Sequence, residues 1–112
     1  MSEIVTDEEV ERALDYLRDE ARPAAKAIAE KAYMAEYRKT LKARLMGKAN
    51  ESVVAAQERF AYAHDDYAAH LLALQTAIEK AEEHEFLMKA ASIKIDVWRA
   101  EQYRNRAMER IG

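Results

Sequence analysis

The segment YAAHLLALQTAIEKA, residues 67–81, decides the fold predicted for this chain. Its apolar positions alternate spacings of four and three residues, which is typical of a coiled-coil helix; they are Tyr67, Leu71, Leu74, Ile78 and Ala81. The pattern then shifts register and continues at Leu87, Ala91, Ile95 and Trp98. We therefore expect one long C-terminal helix over residues 67–110, with Asp65 and Asp66 at its N-terminal cap.

The N-terminal half shows equally clear helix signals. Thr6 followed three residues later by Glu9 predicts a capping box that starts a first, acidic helix within residues 1–21. Pro23 then predicts a break or a kink, because proline lacks the N–H that an interior helical position donates. A second, basic helix over residues 22–48 should follow, with Gly47 as its C-terminal stop.

Residues 49–66 are expected to form a loop and a short helix, capped by Asn50 or Ser52. The predicted fold class is therefore all-α, a single domain over residues 1–112 built as a long helical hairpin. Its N-terminal helix is kinked or broken, and its middle helix is short.

Composition agrees with long helices and excludes several classes of protein. Only two glycines and one proline occur among 112 residues, whereas 35% of the residues are charged. No apolar run approaches the roughly 20 residues that span a bilayer, and no signal peptide opens the chain. Cysteine is absent, so disulfides and thiolate metal sites are excluded. We expect a soluble cytoplasmic protein without membrane contact, in the bacterial host if the chain is phage-encoded.

The small net charge of −3 conceals four blocks of alternating sign. Residues 1–21 carry a net charge of −6, residues 22–48 carry +6, residues 49–88 carry −6 and residues 89–112 carry +3. Blocks of this kind bind external partners or one another.

Catalytic chemistry has little support in the sequence. The three histidines have no cysteine or paired serine as a nucleophile partner, and HEF at His84 lacks the second histidine of a zinc protease motif. The acidic run at Glu82–Glu85 points in different directions around a helix. We expect no enzyme activity, no cofactor and no metal.

The basic helix is the better candidate for a functional surface. Tyr37, Leu41 and Leu45 share one helix face with Met34, and Lys42 and Arg44 flank that face on opposite edges. Basic side chains beside tyrosine rings are typical of a site that binds single-stranded nucleic acid. The alternative is pairing within the chain, in which Glu79, Glu82, Glu83 and Glu85 would approach Lys31 and Lys39.

A hairpin with one alanine-rich apolar stripe per helix buries little core. We therefore expect self-association through the C-terminal helix, and the interface positions are Ile95, Val97, Trp98 and Tyr103. The alternative is that the N-terminal and middle helices cover the stripe within one chain. The acidic N-terminal helix is expected to be dispensable for the core, as a mimic of DNA or a contact for a partner.

The motif LKARL, residues 41–45, resembles the basic motif of the UvsY family of phage recombination mediators. The order of helices over about residues 30–107 is also similar, including the short polar loop and the tryptophan of the long helix. The chain is similar, too, to small proteins encoded beside single-strand annealing and recombination genes in temperate phages. The resemblance implies that Lys42 and Arg44 bind single-stranded DNA and that the C-terminal helix builds a ring-like homo-oligomer.

Together these observations predict a single-stranded DNA-binding mediator of phage homologous recombination, which helps to load a recombinase or an annealase onto single-stranded DNA. Its expected partners are single-stranded DNA, a second copy of the chain, and a recombinase, annealase or single-strand binding protein. The expected binding residues are Tyr37, Arg38, Lys39, Lys42, Arg44 and Lys48. The alternative is a helical protein-interaction module, or a phage inhibitor of a host defence complex, that works through its acidic faces.

Overall fold

The computed structural model describes residues 3–111, and these residues form three helices. Helix α1 spans Asp7–Lys48, α2 spans Val54–Ala63 and α3 spans Asp65–Ile111. The all-α fold class is thus confirmed, with a long first helix, a short middle helix and a long third helix. Residues 1, 2 and 112 of the predicted domain lie outside the described residues.

Of the break or kink predicted at Pro23, the break is wrong, because α1 runs through this position as one helix of 42 residues. Proline removes the hydrogen bond that would reach the carbonyl of Asp19. Pro23 is exposed, so water can hydrate that carbonyl. Alanines at positions 21, 24 and 25 favour the helical conformation on both sides of the proline.

The predicted cap at the start of α1 is present, whereas the start of α3 and the end of α1 differ from the predictions. The Glu9 amide donates a 3.1 Å hydrogen bond to Oγ1 of Thr6, as the capping box requires. The predicted caps of α3 are wrong: Asp65 and Asp66 lie in its first turn, and Nδ1 of His64 accepts a 3.0 Å hydrogen bond from the Asp66 amide. Gly47 lies within the last turn of α1 and does not have a positive φ.

Helix α2 begins without the side-chain cap predicted for it. Val53 occupies the cap position and makes no capping hydrogen bond with its side chain, so neither Asn50 nor Ser52 serves there. Gln57 links the helix to the preceding loop, since its Nε2 donates a 2.9 Å hydrogen bond to the carbonyl of Glu51.

The chain divides into two compact units, and both long helices contribute to each. Unit 1 comprises residues up to Ala24 together with those from Glu83 onward, and unit 2 comprises Ala25–Glu82. The buried side chains of unit 1 are Val5, Val10, Ala13, Ala24, Ala91 and Glu101. Those of unit 2 are Ala27, Leu45, Ala61, Leu74, Ala77 and Ala81.

Within unit 1 the acidic N-terminal helix is part of the core, so its predicted dispensability is wrong. The Ile4 amide donates a 2.9 Å hydrogen bond to Oε1 of Glu101, and the Trp98 indole donates a hydrogen bond to the Asp7 carboxylate. Val10 is buried on the same segment. Ala13 is also buried, and it lines a cleft together with Ala91 of α3.

Within unit 2 the α1 and α3 segments run antiparallel, and the predicted apolar register of α3 is partly wrong. Leu74 and Ala81 are buried as expected, but Leu71 and Ile78 are 42% and 40% exposed. Ala77, which lies between Leu74 and Ala81 in the sequence, is buried as well. Small side chains permit a close approach of the helices, which moves the larger residues to the flanks.

Candidate functional site

Basic residues of α1 line two separate grooves in unit 2. The first, named here the Lys42 groove, is lined by Arg38, Lys39, Lys42, Tyr62 and Tyr67. The second, named the Arg44 groove, is lined by Tyr33, Glu36, Tyr37, Lys39, Thr40 and Arg44. Since Lys42 and Arg44 are two residues apart on a helix, they point to opposite flanks of the face that buries Leu45.

In the Lys42 groove, the ammonium group lies between an aromatic ring and a carboxylate. Nζ of Lys42 is 4.8 Å from the centroid of the Tyr62 ring and 3.7 Å from Oε1 of Glu58. The pKa of Lys42 is raised, first by hydrogen bonding with Tyr62 and also by the charge of Glu58, whereas desolvation lowers it. Lys42 therefore keeps its positive charge throughout the neutral range.

The two tyrosines of this groove come from different helices and contact each other. Tyr62 lies near the end of α2 and Tyr67 in the first turns of α3. Their ring centroids are 5.2 Å apart and their planes are nearly perpendicular at 84°, a favourable edge-to-face arrangement. The His64 cap holds the turn between them.

In the Arg44 groove, the guanidinium group is held against Tyr37. Its carbon Cζ lies 5.9 Å from the ring centroid, and Nη1 donates a 3.3 Å hydrogen bond to the tyrosine hydroxyl. The Tyr37 ring stacks on Tyr33, with centroids 6.0 Å apart and planes inclined by 19°. Tyr33 is 68% exposed, so one face of this stack is open to a ligand.

Of the three other predicted basic residues, two line a groove and one does not. Lys39 lines both grooves and pairs with Glu36 at 3.4 Å. Arg38 is exposed beside Lys42, and it forms no ion pair with the residues from 3 to 111. Lys48 is exposed at the end of α1 and lines neither groove.

The alternative of pairing within the chain holds for one of its two lysines. Nζ of Lys31 lies 3.9 Å from Oε1 of Glu82. Lys39 pairs on its own helix, with Glu36, and so does not meet the acidic face of α3. The structure adds a pair that the sequence did not indicate, since Lys42 meets Glu58 of α2.

Sequence reasoning missed Glu58, Tyr62 and Tyr67 as members of the site. Glu58 and Tyr62 are four residues apart and so share one face of α2, which is a readable signal. Which face meets α1 depends on the path of residues 49–53, and the sequence does not give that path.

Two of the three histidines have structural roles. His64 caps α3, and Nε2 of His70 donates a 2.8 Å hydrogen bond to the carbonyl of Met34. The His70 ring also contacts Tyr37, with centroids 5.6 Å apart, and so supports the Arg44 groove. Across residues 3–111, the side chains do not gather into any cluster of three potential metal ligands.

Of the four predicted interface residues, three are half-buried in the single chain and one is exposed. Ile95 and Trp98 are half-buried, and Nε1 of Trp98 donates a 2.7 Å hydrogen bond to Oδ1 of Asp7. Val97 is half-buried, and Tyr103 is 77% exposed.

No helix in the described part of the chain is long and apolar enough to cross a membrane.

Comparison with known proteins finds no matching family model, no matching curated protein and no matching solved structure.

Proposed function

We propose that this chain is a single-stranded DNA-binding accessory protein of phage recombination. The observation that carries the proposal is that Lys42 and Arg44 each lie against a tyrosine ring, at 4.8 Å and 5.9 Å from its centroid. A cation beside an exposed ring offers a phosphate contact and a stacking surface to the same nucleotide. Unpaired bases can use both, whereas the bases of a duplex are already stacked.

The role as a mediator is supported by the resemblance of LKARL, residues 41–45, to the UvsY motif. In this role the protein holds the strand along its basic helix. It thereby eases the replacement of a single-strand binding protein by a recombinase or an annealase. This role requires binding alone. The two grooves offer cations to the phosphates and tyrosine rings to the bases.

Self-association is the second part of the proposal, and an outward stripe on α3 supports it. Phe86, Ala90, Ile93, Val97 and Ala100 alternate spacings of four and three residues. Helical geometry places this stripe about a third of a turn from the inward face of Ala91 and Trp98. Phe86 is 68% exposed and Ile93 is 50% exposed, so the two largest side chains of the stripe are uncovered in the single chain, whereas Val97 is half-buried.

Charges beside the stripe favour an antiparallel pairing of two copies. In that pairing Phe86 packs against Val97 of the second copy, and Ala90 packs against Ile93. Lys89 of each copy then approaches Asp96 of the other, which gives two symmetric ion pairs at the flanking positions. The apolar stripe is short, so we expect a dimer that dissociates on dilution.

The experiment is a titration of labelled single-stranded and duplex oligonucleotides, followed by fluorescence anisotropy at several salt concentrations. The double variant Lys42→Ala with Arg44→Ala should weaken single-strand binding at least about tenfold and flatten the dependence on salt. The double variant Lys80→Ala with Arg59→Ala is the matched control. It removes the same charges from exposed positions outside both grooves.

Equal affinity of the two double variants would contradict the proposal. The absence of single-strand binding by the native chain at low salt would also contradict it, and would favour a protein-interaction module that uses the acidic faces.

A further inference from the structure

The contact between Lys42 and Glu58 has the properties of a replaceable ion pair. The side chains are 30% and 43% exposed, and the atoms Nζ and Oε1 are 3.7 Å apart. Ion pairs this accessible contribute little to stability and exchange readily with other anions. Lys42 therefore stays available to a stronger polyanion, and Glu58 occupies the place that such an anion would take.

The aromatic part of the same groove is open as well. Tyr62 is 51% exposed, although Lys42 lies over its ring and Tyr67 meets it edge to face. Glu58 and Tyr62 are four residues apart on α2, so the carboxylate and the ring project side by side. The Glu58 carboxylate beside the Tyr62 ring thus marks a place for a phosphate beside a ring on which a base stacks.

We propose that Lys42, Tyr62 and Tyr67 form a subsite for one nucleotide of a single strand, in which a phosphate replaces Glu58 at Lys42 and the unpaired base contacts Tyr62. This inference rests on the proposed function and names the substrate unit, namely a phosphodiester with an unstacked base. Arg38 and Lys39 line the same groove and hold the neighbouring phosphates. A duplex meets only the phosphate half of the subsite, because its bases are paired and stacked.

The exchange makes Glu58 an internal competitor of the strand. The variant Glu58→Gln should therefore bind a labelled oligothymidylate about two- to fivefold more tightly than the native chain. Replacing Tyr62 by leucine keeps the apolar bulk and removes the stacking surface. It should weaken single-strand binding about tenfold and leave the weaker duplex binding nearly unchanged.

The matched control is Glu82→Gln, which removes one negative charge from an almost identical pair. Lys31 and Glu82 are 28% and 44% exposed and 3.9 Å apart, but they lie outside the Lys42 groove. Any gain from the change in net charge alone will appear equally in both variants. Only Glu58→Gln should show the additional gain, and this gain should vanish when Lys42 is replaced by alanine.

Several results would overturn the subsite. One is an equal effect of the two glutamine variants; another is a gain that persists in the Lys42→Ala background, and a third is unchanged single-strand binding by Tyr62→Leu. In these cases the native chain still binds single strands, so the proposed function survives. If neither the native chain nor Glu58→Gln binds the oligonucleotide at low salt, the proposed function fails and the subsite fails with it.

Discussion

Nε1 of Trp98 donates a 2.7 Å hydrogen bond to Oδ1 of Asp7, a residue 91 positions earlier in the chain. The bond joins the C-terminal part of α3 to the first turn of α1 within unit 1. Asp7 also suits this position electrostatically, because its carboxylate lies at the positive end of the helix dipole. The acidic N-terminal segment is therefore hydrogen-bonded to Trp98, which the sequence analysis predicted to lie at an oligomer interface.

A double-mutant cycle should measure this contact. We expect the cycle of Asp7→Ala and Trp98→Phe to give a coupling free energy of about 1 kcal/mol. This is below the roughly 1.5–3 kcal/mol usual for a hydrogen bond to a charged group, because the bond is exposed to solvent. Urea unfolding followed by circular dichroism provides the four free energies of unfolding. Glu8→Ala is the control, since it removes a first-turn carboxylate that has no hydrogen bond to Trp98. Coupling near zero would show that the bond does not form in solution.

Pro23 should reduce the stability of α1. The variant Pro23→Ala restores an N–H donor within a continuous helix, and the ring it removes is exposed. We expect the free energy of unfolding to rise by about 1–3 kcal/mol. Thermal unfolding followed at a helical wavelength will measure the change. A decrease in stability would mean that the helix is interrupted at this residue, as the sequence alone suggests.

Gly47 offers a second stabilising substitution, and it lies close to the site. A β-carbon at this position meets no heavy atom within 4 Å, and the backbone does not have the positive φ that favours glycine. Gly47→Ala should therefore stabilise the protein by about 0.5 kcal/mol, less than in a helix interior because the helix ends at Lys48. Chemical unfolding gives the value. Single-strand affinity should not change, and a marked loss would place Gly47 in contact with the strand.

Self-association through the outward stripe predicts a position-dependent effect of polar substitutions. Phe86→Ser with Ile93→Ser should shift the protein to monomers in sedimentation velocity runs, because these exposed side chains are the two largest of the stripe. Tyr103→Ser is the matched control, since Tyr103 is 77% exposed but lies outside the heptad spacing. The double variant should also weaken strand binding through lost avidity. If Tyr103→Ser dissociates the assembly and the double variant does not, the interface lies elsewhere on α3.

Much of the local structure could be predicted from local sequence signals. The cap at Thr6 depends on residues three positions apart, and a helix repeats such contacts within every turn. The opposite placement of Lys42 and Arg44 follows from helical rotation alone. For the same reason the tyrosine beside Arg44 was found, since Tyr37 lies on the same helix two turns earlier.

The sequence by itself therefore determined the all-α class, the long helices and the residues that share a helix face, because these depend on contacts within a few turns. Only the tertiary structure decided which face of each helix is covered and which residues cover it. It brought Glu58 and Tyr62 to Lys42, and it placed Asp7 against Trp98. The loop path and the close approach of helices at alanines govern these contacts, and both depend on packing between segments far apart in the chain.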